Sequence, residues 1–104
     1  MIVEQRDYRA VPGGAQRYLS AWYRSGRPAQ VRHLGEPLGV YLTETGELNT
    51  LVYLWRYDDL ADRGRRRAAL VADEDFAAFR AEVRGLLVSQ ANRILIQVDL
   101  ATSI

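Results

Sequence analysis

Apolar and polar positions alternate from Ile2 to Ala10, a period of two that predicts a strand close to the start of the chain. "VPGG", Val11 to Gly14, breaks the pattern. From Ala15 the apolar residues fall at Tyr18, Leu19, Trp22 and Tyr23, the three-and-four spacing of an amphipathic helix. Gly26 is expected to close that helix in a left-handed conformation. Pro28 suits the first turn of a short second helical piece, running through Val31 and Leu34 to Gly35. Pro37 to Glu44 is rich in β-formers, "TGELN" makes a turn, and Asn49 to Tyr57 follows as the third strand, predicting a hairpin. Asp58 or Asp59 caps a helix to about Val71. Asp73 to Asp75 place acid at the start of another helix, with the stripe Phe76, Phe79, Val83, Leu86 and Leu87. Gln90 to Val98 closes the chain as a strand.

The order is β-α-β-β-α-β, with the second helical connection split in two. Right-handed crossovers turn that order into an α+β, ferredoxin-like antiparallel sheet with helices on one face. Leu51, Tyr53, Trp55 and Tyr57 then point to one face of the third strand, and Val52 and Leu54 to the other. Ile94 and Ile96 lie opposite Leu95 in the same way. A sheet covered on one side should carry a polar second face. This one is apolar on both, and the chain has no spare element to cover it. The expectation is a homodimer that packs sheet to sheet, a dimeric α+β barrel.

At 104 residues, the chain, residues 1–104, reads as a single domain. Its hydrophobic (48%) and charged (26%) fractions are those of a globular protein, and a net charge of +1 argues against a dedicated nucleic-acid binder. The absence of cysteine excludes thiolate chemistry, and a single histidine, His33, argues against a metal site. The first ten residues have neither the apolar run of a signal peptide nor that of a membrane span, so a cytoplasmic location is expected. All fourteen basic residues are arginine, a bias that a GC-rich coding genome would also produce.

That bias weakens the arginine run after Arg63 as a nucleic-acid signal. Asp59 and Arg63, Arg63 and Arg67, and Asp62 and Arg66 are each four residues apart, and acid before base at that spacing supports an exposed helix. The run is read as a solvated, partly paired face. "PGGAQRY" lacks the Gly-Lys-Ser/Thr ending of a phosphate loop and is read as a turn. His33, beside Arg32 near a helix end, is read as a surface or capping histidine. The aromatic set is more suggestive, because Tyr and Trp join apolar bodies to polar tips. It fits equally a small-molecule pocket and a plain core.

Three segments, "MIVEQRDYRAVPGG", "HLGEPLGVYLTETGELNTLVYLWRYDDLADRGRRRAAL" and "LLVSQANRILIQ", resemble the NIPSNAP family, over Met1 to about Val98. The resemblance implies membership of the dimeric α+β barrel superfamily. It also implies a histidine two residues before the tryptophan, where this chain has Tyr53. Related barrels include cofactor-independent monooxygenases, isomerases and haem enzymes, an analogy of fold and not of chemistry.

The expected site lies between sheet and helices. Tyr53 and Trp55 form its wall, Trp22 covers it, Tyr41 adjoins on the hairpin, and Arg6 or Arg93 orients an anion or enolate. A tyrosine could serve as proton donor if its pKa were lowered. No cofactor, metal, nucleic acid or membrane is expected as a partner. The alternative is a non-catalytic module that binds another protein.

Overall fold

Four strands pair into one antiparallel sheet, in a computed structural model that describes residues 1–101. Strand β1 (Ile2–Ala10) lies inside the sheet, between β3 (Thr50–Tyr57) and β4 (Leu87–Ile96). Strand β2 (Gly39–Leu42) joins β3, giving the order β2-β3-β1-β4. This is the predicted ferredoxin-like α+β arrangement. Helices α1 (Gly14–Ala21), α2 (Arg27–Leu34), α3 (Leu60–Val71) and α4 (Glu74–Glu82) form the second layer. No helix among the described residues is long and apolar enough to cross a membrane.

Local chemistry sets the boundaries. Asp59 caps α3 by accepting the Asp62 backbone N–H at 2.7 Å. Asp73 caps α4 by accepting from the N–H groups of Asp75 and Phe76. Gly26 does not close a helix as expected. Its φ of −75° is helical, and a π-turn, Trp22–Gly26, carries α1 straight into α2, with the Arg27 N–H donating to the Trp22 carbonyl. Glycine is needed there for proximity, because a Cβ would sit 2.9 Å from the Phe79 ring. The helix ends instead at Gly35, whose φ is +78°. Strand β4 starts at Leu87, earlier than Gln90, because the Leu86 carbonyl accepts from the Val11 N–H and draws this segment into the sheet.

Residues opposite each other in the sheet share a face. Leu51, Tyr53, Trp55 and Tyr57 face the helices and are buried, along with Glu4 and Tyr8 of β1. The other face carries Val3, Val52, Leu54, Leu95 and Tyr41, interleaved with Gln5, Asp7, Arg56 and Arg93. It is therefore mixed, less apolar than the pattern of β3 alone suggested. Strand β4 is an edge strand open to solvent even on its helix side, where Ile94 and Ile96 are exposed.

Candidate functional site

The aromatic residues of β3 form a closed stack. Trp22 meets Tyr53 edge-on, with ring centroids 5.1 Å apart at 69°, and Tyr53 lies parallel to Trp55 at 6.4 Å and 3°. Tyr53 and Trp55 are 1% and 0% exposed. The Trp22 Nε1–H donates to Gln30 Oε1 at 2.6 Å. The Tyr53 hydroxyl and Trp55 Nε1 are buried without a hydrogen-bond partner among the described residues, each an unfavourable term of about 1–3 kcal/mol. Burial pushes the phenols of Tyr18, Tyr53 and Tyr57 above their ordinary range, the direction that weakens a proton donor.

Beside the stack, Glu4 is a fully buried carboxylate at the centre of a polar network. It accepts from Arg63 Nη2 at 2.7 Å, Asn92 Nδ2 at 2.8 Å and Arg6 Nη1 at 3.0 Å. Burial opposes its charge, but the hydrogen bonds from Arg63 and Asn92 and the charges of both arginines prevail, lowering its pKa from 4.5 to about 2. Glu4 thereby orients Arg6, whose Nε–H donates to the Tyr8 hydroxyl at 2.6 Å.

Arg6 and Tyr8 form one wall of a cleft of about 680 Å³, which opens where the helical layer stops short of β4. Gln90 and Leu87 border it from β4, Gln30 from α2 and Tyr18 from α1. Phe76, Ala77 and Arg80, on one face of α4, and Val83 and Arg84 just beyond it, form the opposite wall. Arg67 enters from α3, and its Nη1 is buried without a hydrogen-bond partner among the described residues. No aspartate or glutamate among the described residues borders the cleft. Guanidinium, phenol, amide and apolar surface thus meet in one concavity, of a size that holds small organic molecules.

The NIPSNAP family model matches residues 3–102. The chain belongs to the NIPSNAP family. A NipSnap homologue from Dictyostelium discoideum is 32% identical over 102 residues, covering 95% of this chain and 44% of its own length. The chain spans less than half the length of the curated relatives it matches. A NIPSNAP-like domain protein from Burkholderia xenovorans superposes with a TM-score of 0.91 at 36% identity, covering 99% of this chain and 90% of its own. A putative antibiotic biosynthesis monooxygenase from Nitrosomonas europaea shares the fold alone, with a TM-score of 0.68 at 13% identity over 95% of this chain and 100% of its own.

In this NIPSNAP chain, Arg6 is the one member of the expected site that borders the cleft. Tyr53, Trp55 and Trp22 are brought together as expected, but as packed core, because their rings fill the space between β3 and the α1–α2 segment. Tyr41 and Arg93 lie on the opposite sheet face, because their strand parity turns them away from the helices. The position where the resemblance implies histidine is the sealed Tyr53.

The arginine helix is only partly the solvated face expected. Asp62 and Arg66 pair at 2.8 Å as predicted, whereas Arg63 turns inward to Glu4 and Arg67 to the cleft. A signal for this was present: Glu4 and Arg6 share strand parity with Tyr8, which puts charge on the buried face of β1 and demands a partner. His33 Nε2 lies 2.8 Å from Asp73, whose carboxyl His33 and Arg32 hold well below its usual range. This is a surface link between α2 and α4, in keeping with the structural reading of that histidine.

Proposed function

We propose that this NIPSNAP domain is a homodimer that binds a small organic molecule in the cleft between sheet and helices of each subunit. The observation that carries the reading is the cleft itself, in which Arg6 and Tyr8 stand at one wall with Phe76, Ala77 and Arg80 of α4 opposite. Glu4 supplies the preorganisation a binding site needs, since it fixes the Arg6 guanidinium in place while taking up part of its charge. The dimer uses the uncovered sheet face, leaving both clefts open to solvent.

A fragment library of aromatic and aliphatic small molecules, screened by NMR, tests the binding site. Binders are expected to shift the amides of α4 and β4, and to lose affinity in Ala77→Trp, which fills the cleft from an exposed position. A library without a millimolar binder, or binders that map to the Tyr41 face, would overturn the reading.

A further inference from the structure

We propose that the cleft selects an organic carboxylate with an apolar body; this deepens the small-molecule reading above and rests on it. The argument is one of charge placement. Eight of the fourteen arginines lie within ion-pair distance of a carboxylate. Of the six that have none among the described residues, Arg67, Arg80 and Arg84 border this one cleft. Arg6 joins them, with its charge half-committed to Glu4. Arginine abundance is therefore not the signal. Half of the arginines that the fold leaves without a carboxylate are gathered in one concavity, whose wall holds no acidic side chain among the described residues.

Arg67 adds a second observation. It is half-buried in the cleft wall with the Tyr57 phenol beside it and no carboxylate within ion-pair distance among the described residues, so its charge is not neutralised by the chain. A carboxylate matches the planar fork of a guanidinium and can bridge two of them. The rest of the wall asks for something else. Leu87 is half-buried, Phe76, Phe79, Val83 and Tyr18 present only narrow apolar edges because they are otherwise buried in the core, and the Arg80 guanidinium lies over the Phe76 ring at 6.0 Å. Inorganic anions would leave this surface wet, whereas a carboxylate on an aromatic or aliphatic body uses both halves.

Calorimetric titration with naphthoate, its neutral isostere naphthamide and inorganic phosphate tests the proposal on the full chain. Naphthoate is expected to bind at least about tenfold more tightly than naphthamide, with an affinity that falls as salt is raised. Arg80→Gln with Arg84→Gln, both exposed positions, should remove most of that preference while circular dichroism and melting stay unchanged. Equal affinities for naphthoate and naphthamide would overturn the carboxylate preference and leave the small-molecule reading standing. Phosphate binding as tightly as naphthoate would overturn the need for an apolar body. If neither naphthyl compound nor any fragment of the library binds, both readings fail together.

Discussion

Glu4 concentrates the chemistry of this protein in one side chain. A carboxylate without solvent exposure is tolerable only because two arginines and an asparagine surround it. Its folded pKa of about 2 lies below its ordinary 4.5, so its stabilising contribution is complete above about pH 4.5 and is lost as pH falls toward 2. That contribution is on the order of 3 kcal/mol. Urea unfolding should therefore show stability dropping through this window. Glu4→Gln is expected to cost roughly 3–5 kcal/mol at neutral pH, by stranding Arg6 and Arg63, and to flatten the acid limb. An unchanged acid limb in the variant would show that other carboxylates carry it. Tyr53→Phe tests the opposite situation, a buried hydroxyl with no partner among the described residues. Its removal should leave stability equal or raise it by up to about 1–3 kcal/mol, with no effect on ligand binding; a loss of stability would mean that the hydroxyl has a partner. At this scale parity in the third strand puts Tyr53 on the inner face, and the same parity in β1 carries an unused signal for Glu4 and Arg6. The sequence is silent on which aromatic rings close up and which leave space, because that depends on ring orientation across elements.

Elements were read with most success where their ends carry a capping chemistry of their own. Asp59 and Asp73 start α3 and α4 where short acidic side chains can take up the free N–H groups. The exception is instructive. Gly26 suggests a stop because glycine is the residue that most easily leaves a helix, yet here the helix widens by a π-turn and continues. The reason lies fifty-three positions away, in a Phe79 ring so close that no Cβ fits. Only tertiary contact distinguishes a glycine chosen for φ from one chosen for size. Gly26→Ala should accordingly destabilise by about 1–3 kcal/mol through overpacking, measured by denaturant unfolding. In a Phe79→Leu background the same substitution should cost less, since the ring it strikes is gone. Equal penalties in both backgrounds would assign the effect to something other than the ring.

At the scale of the whole molecule, strand order and layering followed from the succession of elements, because few connections are compatible with a β-α-β-β-α-β chain. The cleft did not, since it arises from incomplete coverage: the helices pack over β3 and β1 and leave the inner side of β4 open. The uncovered sheet face raises the last question. Val3 and Leu95 share one cross-strand row, Leu54 occupies the next, and Val52 with Tyr41 the third, while Gln5, Asp7, Arg56 and Arg93 divide the apolar positions. A face of this mixture suits a two-fold interface, in which each apolar row can meet its counterpart and Asp7 of one copy can meet an arginine of the other. Leu54 lies inside this face, between Gln5 of β1 and Gly39 of β2. Leu54→Arg would bring a further cation into each half of the interface, beside Arg56 and Arg93, without touching the helical core. Light scattering should give a dimer for the native chain at micromolar concentration and a folded monomer for Leu54→Arg, with circular dichroism preserved. The cleft lies on the other side of the sheet, so its fragment binding should survive in that monomer. A native chain that is monomeric at micromolar concentration, or a Leu54→Arg variant that remains an equally tight dimer, would remove this face as the interface.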